Sequence, residues 1–360
     1  MKNGSAILLL SLPFAAGAAA GGMAGEARAA AAAAAAAGAA AALLAVCAAS
    51  RKAGTPIVLF LFFCLGVMSR CGRSLLLASS PPPADGPLTA RALEGLCGLL
   101  ERSSIGGKHG EALSKALLCG VRDGLPRELA EAFRRSGAAH LLALSGLHLG
   151  IIYSVLRKLR LPFGGGLAAR VGGAAAVCGA CALYTIITGA SPSTVRALIF
   201  ICIHELFSLF AGRGKTPADT LGAALFIQLT IMPEAIGTVG FRLSYAATAG
   251  TALLYPHLLE WYPGRARNDP FRKLWSVAAL SLSCQLFTAP LAWAYFRSFP
   301  PYFLITNIIA LPITECLIVS ALGCAAFCAA GWSTEVPAAV CGFLCDALEF
   351  CVRTVSSLPT

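Results

Sequence analysis

Charge is what this chain has least of: Asp, Glu, Lys and Arg make up 12% of its 360 residues, where a soluble domain carries roughly 25%. The few charges sit in short stretches between long apolar runs, and 57% of the chain is hydrophobic. A water-soluble core has no room for that much apolar surface. The composition therefore excludes an ordinary soluble globule and makes a bilayer the solvent for most of the chain. Acidic groups are scarcer than basic ones, and the net charge is +11. In a membrane protein that excess belongs first to cytoplasmic loops and only then to a polyanionic ligand. No internal repeat of useful strength is present, so the usual sequence sign of an inverted-repeat transporter is missing.

Cysteine, by contrast, is plentiful, with fifteen in the chain. Most, such as Cys64, Cys202, Cys284, Cys324 and Cys341, lie inside apolar runs and read as small packing residues. Cys178 and Cys181 match C-x-x-C, but their setting, GGAAAVCGACALY, is a small-residue helix face rather than a redox site. Cys71, Cys97 and Cys119 fall in the one sizeable polar region and are open to pairing if it is exported; the sequence does not say which would pair.

Along the chain, 5–25 begins like a signal peptide, but further apolar segments follow at once, so it reads as a first spanning helix. Residues 29–49 are nearly all alanine, a strong helix former but only marginally hydrophobic. Residues 56–68 are short and rich in Leu and Phe. Between 70 and 137 a Pro run gives way to mixed charge, and 113–133 has apolar residues at helical spacing, predicting amphipathic helices in an aqueous or interfacial region. Candidate spans then follow at 139–156, 167–188, 193–211, 217–233, 238–259, 275–295, 302–330 (long enough to include a re-entrant piece) and 334–352. The expected fold is an all-α polytopic membrane protein of roughly ten transmembrane or re-entrant helices with one short extracytoplasmic helical region. Its three parts are 1–69, about three helices; 70–137, extracytoplasmic; and 138–360, the main membrane domain. Basic loops at Arg157, Lys158, Arg160 and Arg170, at Arg213 and Lys215, and at Arg265, Arg267, Arg272 and Lys273 are each separated by two spans. All three fall on one side, the cytoplasmic one, which puts the N-terminus inside as well.

Four segments carry chemistry. In AHLLALSGLHLG (139–150), His140, Ser145 and His148 interrupt a run of Ala, Leu and Gly. On one continuous helix, residues 140 and 148 would stand about 80° apart. Polar groups at such depth face protein or water, so interhelical hydrogen bonding, a pore lining, and metal binding or catalysis are all open. In TGASPSTVR (188–196), Gly189 ends one helix, Ser191 caps the next and Pro192 opens it. Ser193, Thr194 and Arg196 then share a first turn suited to phosphate; a tight external turn with a snorkelling Arg is the plainer alternative. In VGFRLSYAATAG (239–250), Arg242 again lies near a helix start, with Tyr245 behind it. In FPPYFLITNIIALPITE (299–315), Asn307, Pro312 and Glu315 suggest a broken helix lining a cavity, with Glu315 either functional or salt-bridged to a helix-end Arg.

Together these segments resemble the competence domain of the ComEC/Rec2 family, the inner-membrane channel for incoming single-stranded DNA. Residues 139–150 match the family signature H-L-L-A-I-S-G-L-H-V-G almost residue for residue. ALLCGVRDGLPRELAEAFRRSGAAH resembles the approach to it, and ASPSTVRA, GFRLSYAATAG and FRSFPPYFLITNIIALPITE resemble later family segments in the right order, over about 110–330. The resemblance implies a multi-pass bacterial inner-membrane protein whose path carries repeated weak phosphate contacts and some base stacking. Ser191, Ser193, Thr194, Arg196 and Arg242 suit the first role; Tyr153, Phe241 and Tyr245 suit the second; His140, Ser145, Gly146, His148, Asn307 and Glu315 would line the pore. Arg242 stands where the family pattern has Gln, and 70–137 looks too short and too helical for the usual OB-like domain. The five His (109, 140, 148, 204, 257) are scattered, with no H-x-H-x-D-H run of a metallo-β-lactamase-like domain. No metal, cofactor or hydrolase activity is therefore expected. Implied partners are single-stranded DNA, membrane lipid, a separate nuclease, a DNA receptor, a cytoplasmic helicase or ATPase, and further copies of the chain. Competing readings are a small-solute or ion transporter, a degenerate non-transporting family member, and an intramembrane serine hydrolase. For the last, Ala143-Leu144-Ser145-Gly146 approaches G-x-S-G and His204 is the candidate partner.

Overall fold

A computed structural model of the chain describes residues 6–23, 28–29, 31–40, 55–79, 87–159, 166–209, 217–262, 269–297 and 300–358. Arg160, Arg213, Lys215, Arg265, Arg267 and the Pro81–Pro83 run lie outside them. Among the described residues the regular structure is helical, with no strand. The chain divides into two compact units, Met1–Ala84 with Ala211–Leu253, and Asp85–Phe210 with Leu254–Thr360.

In chain order, α1 (Ala6–Met23), α2 (Ala31–Ala40) and α3 (Thr55–Ser79) open the first unit. The second unit continues with α4 (Pro87–Arg102), α5 (Gly110–Cys119), α6 (Arg127–Arg135), α7 (Ala139–Leu142), α8 (Gly146–Leu159), α9 (Leu167–Ile187) and α10 (Pro192–Leu209). The chain then returns to the first unit with α11 (Pro217–Ile231), a 3-10 turn (Pro233–Gly237) and α12 (Val239–Leu253). It ends in the second with α13 (Tyr255–Glu260), α14 (Pro270–Phe296), α15 (Phe303–Ala329) and α16 (Glu335–Ser356).

The first unit is built on α1 against α3 at the closest approach that backbone allows. A Cβ on Gly17 would overlap the carbonyl oxygen of Phe63, and one on Gly66 would overlap that of Phe14. Small residues at such crossings replace a hydrophobic driving force that lipid does not supply. Phe14 also packs with Leu225 and Leu229 of α11, and Arg70 at 3.9 Å from Glu234 ties α3 to the 3-10 turn.

In the second unit, Leu113, Leu117, Leu129 and Phe133 of α5 and α6 join Ile151, Leu317, Ile318, Leu348 and Val352 in one core. α6 turns Leu129 and Phe133 inward and exposes Arg134 and Arg135, which pair with Glu131 at 3.0 and 3.4 Å. Two long-range hydrogen bonds fix this segment along α15. Ser103 Oγ donates to the Cys324 carbonyl (3.3 Å), and Thr306 Oγ1 donates to the Ser136 carbonyl (2.7 Å).

Among the described residues, four helices are long and apolar enough to cross a bilayer: α9, α10, α14 (from Phe271) and α15. This is a helical membrane protein, but fewer described helices meet the requirement of a span than the roughly ten expected. The other apolar segments are shorter, as in Leu9–Met23 of α1, α2 and α11, or mix in charge: α16 carries Glu335, Asp346, Glu349 and Arg353. Residues 303–329 form one unbroken helix rather than a span plus a re-entrant piece. Pro312 sits inside it, since a single lost backbone bond is tolerated in an apolar helix packed by its neighbours.

Candidate functional site

The segment 139–150 is not one helix. α7 stops at Leu142, Ala143 is extended (φ −85, ψ 130), and α8 starts afresh at Gly146. Ser145 is a strong N-cap type and Gly146 a weak helix former, so the break falls where local chemistry favours it. The Ser145 N–H donates to His148 Nδ1 (3.0 Å), and Ser145 Oγ lies 3.3 Å from the same nitrogen. His148 thus fills the place that Glu or Gln takes in a capping box. Because Nδ1 accepts, the ring proton sits on Nε2. That atom is buried without a partner among the described residues, in a residue 1% exposed. His140, on the other side of the break, is exposed and donates from Nδ1 to the Gly137 carbonyl (3.1 Å). The 80° relation on a continuous helix therefore does not hold.

The second motif folds as its sequence suggests. Gly189 takes φ +85 and Ala190 φ +45 after α9, and Ser191 caps α10. Ser191 Oγ accepts from the Thr194 N–H (3.3 Å), and Thr194 Oγ1 donates to the Ser191 carbonyl (2.9 Å). Both hydroxyls are engaged in the cap, and Thr194 is buried.

The structure brings these two motifs together. The nearest neighbours of a Cβ built on Gly146 are Arg196 Nη2 at 2.6 Å, Ala197 Cβ at 3.2 Å and the Ser193 carbonyl oxygen at 3.6 Å. The Arg196 guanidinium therefore lies on the bare first turn of α8, with its carbon 5.9 Å from the Phe200 ring centre. The starts of α8 and α10 thus lie close together, and a permanent cation stands beside the N–H groups and positive dipole end of α8. Nothing in either segment alone signals this juxtaposition.

Farther along the same two helices lies a cluster that sequence reasoning missed. Glu205 of α10 is 2% exposed. Tyr153 Oη donates to its Oε1 (2.6 Å), and Arg157 Nε lies 3.8 Å from that oxygen. Arg157 Nη1 also donates to His204 Nε2 (3.0 Å). The signal was a carboxylate inside the apolar run ICIHELF. Tyr153, expected to stack on bases, has its hydroxyl committed to Glu205.

The remaining expected site residues are dispersed. On α15, Asn307 is 8% exposed, with a buried Oδ1 that has no partner among the described residues, whereas Glu315 faces outward. In the first unit, Arg242 is exposed and its Nε donates to the Ile236 carbonyl (2.9 Å). Phe241 is 4% exposed and packs against Tyr245 with centroids 4.5 Å apart and ring planes tilted by 38°, and Tyr245 Oη donates to Gln228 Oε1 (2.9 Å). Among the described residues no group of three or more His, Cys, Asp or Glu is placed to hold a metal ion.

A family model described as Competence protein matches residues 117–360. Curated relatives include ComE operon protein 3 of Bacillus subtilis (strain 168), 26% identical over 58% of this chain and 25% of its own length. Competence protein ComA of Neisseria gonorrhoeae is 31% identical over 48% of this chain and 25% of its own. An uncharacterized protein of Escherichia coli (strain K12), YcaI, is 29% identical over 56% and 27%. The chain thus spans about a quarter of the length of the curated relatives it matches. No solved structure matches it at a significant level.

Proposed function

The chain belongs to the competence protein family, and on that footing we propose that it is a membrane component of the path by which single-stranded DNA enters the cell. One observation carries the reading: the Arg196 guanidinium set against the first turn of α8, where the two most chemical motifs meet. A phosphodiester placed there would accept from the guanidinium and from the N–H groups of a helix start, and its charge suits both positive features. A single such interaction is weak, as a path that must also release the strand requires. Arg242 offers a second one; Phe241 is buried, and Tyr153 and Tyr245 are half-buried with their hydroxyls hydrogen-bonded inside the protein. In this reading the protein is a channel component of a bacterial inner membrane with a cytoplasmic N-terminus. It works beside lipid, further copies of itself, a separate nuclease, a receptor and a cytoplasmic motor.

The test is binding of oligothymidylate to the protein in nanodiscs across a salt series. The logarithm of the binding constant should fall with log salt. Arg196→Ala and Arg242→Ala each remove one phosphate interaction, so each should lessen the slope by about 0.7. Binding that ignores both substitutions sinks the reading.

The approach of Ser145 Oγ to His148 Nδ1 is the one observation that favours a serine hydrolase. The same nitrogen has a single lone pair, however, and it accepts the Ser145 backbone N–H at shorter distance. That makes the pair a helix cap, and Ser145 should resist fluorophosphonate labelling.

A further inference from the structure

Gly146 has no backbone need to be glycine. Its φ is not left-handed, and it stands in the first turn of a regular helix, where alanine is the better helix former. What its bare face admits is the Arg196 guanidinium, whose Nη2 would stand only 2.6 Å from a Cβ. The second neighbour, Ala197 Cβ at 3.2 Å, asks for a shift of a few tenths of an ångström. The severe overlap falls on the far end of a flexible side chain, while the slight one asks α10 to give by a few tenths of an ångström at Ala197. An added methyl would leave both helices nearly in place and push the cation off the helix start.

We infer that Gly146 is a positioning residue: its missing side chain is the seat that holds the Arg196 guanidinium against the N-terminal turn of α8. The inference rests on the phosphate reading for its purpose, but the seat itself is a property of the fold. It gives the glycine of the Ser-Gly-Leu-His segment a function separate from its neighbours. Ser145 and His148 shape the helix start; Gly146 keeps it open to the cation from α10. On the phosphate reading, the chemistry recognised at this seat is a phosphodiester oxygen rather than a base.

The experiment compares wild type, Gly146→Ala, Arg196→Ala and the double substitution, each as the full chain in nanodiscs. Thermal unfolding of Gly146→Ala should be unchanged or shifted upward. The rate of phenylglyoxal addition to Arg196, followed by mass spectrometry of its peptide, should change several-fold between wild type and Gly146→Ala. Oligothymidylate binding should show the same decrease in salt slope, about 0.7, in Gly146→Ala, in Arg196→Ala and in the double substitution. Equal Arg196 reactivity in wild type and Gly146→Ala overturns the seat. If wild type binds no oligonucleotide while the reactivity still changes, the seat stands and the DNA reading falls.

Discussion

At the residue scale, His148 is held by its backbone neighbour rather than by another helix. The Ser145 N–H needs an acceptor at the position three residues on. Gln can supply one and Leu cannot. His148→Gln should therefore melt close to wild type, and His148→Leu should lose about 1 kcal/mol despite its similar volume. Equal losses in the two would show that ring packing, not capping, is what counts. Asp269 gives a pH-dependent counterpart outside the spans. The Tyr262 hydroxyl (2.6 Å) and then the Phe271 N–H (2.9 Å) hold its carboxyl below the usual carboxylate range. A group whose folded value is depressed adds stability above its unfolded value, about 4, and loses it as pH falls through the folded value. Hydrogen exchange at the first turn of α14, corrected for intrinsic rates, should quicken as pH drops below about 4. Asp269→Asn should abolish that pH dependence while keeping a cap.

At the element scale, the α1–α3 crossing depends on two glycines whose places have no room for a methyl. Gly17→Leu should lower thermal stability by roughly 1–3 kcal/mol or prevent folding. Gly38→Leu, at a glycine with nothing within 4 Å, should not. Comparable losses from both would remove the crossing as the cause. How much the sequence revealed varies between elements for physical reasons. The start of α10 was legible because Gly189, Ser191 and Pro192 act locally, each through its own backbone preference. The amphipathic α6 was legible because its period is complete within nine residues. The break before Gly146 was not. A run of Ala and Leu reads as continuous helix, and the weight of one Ser-Gly pair against it emerges only once the cap is formed. The reverse error occurred at Pro312, where neighbours hold together a helix that the residue alone would interrupt. The seat for Arg196 was illegible for a different reason: it joins residues fifty positions apart, and no local rule pairs them.

At the scale of the whole molecule, the anchors of the 103–136 segment on α15 bear on topology. Thr306 and Cys324 are eighteen residues apart on one helix, or about 27 Å. That is close to the thickness of a hydrocarbon core, roughly 30 Å. If α15 spans, Ser103 and Ser136 sit at its two ends, and the segment between them runs from one face of the bilayer to the other. In the sequence, 70–137 reads as an extracytoplasmic or interfacial region, its side counted back from the basic loops. Single cysteines at Lys108 and at Arg135 should accordingly react with a membrane-impermeant maleimide from opposite sides. Labelling of both from one side would mean that α15 does not cross. The path between those ends is not greasy. Lys115 reaches Glu101 and Glu111 at 2.6 Å each, and the two carboxylates stay exposed. Charges at that depth require hydration. If α15 spans, the flank of the protein formed by α4 and α5 therefore meets water rather than lipid at that depth.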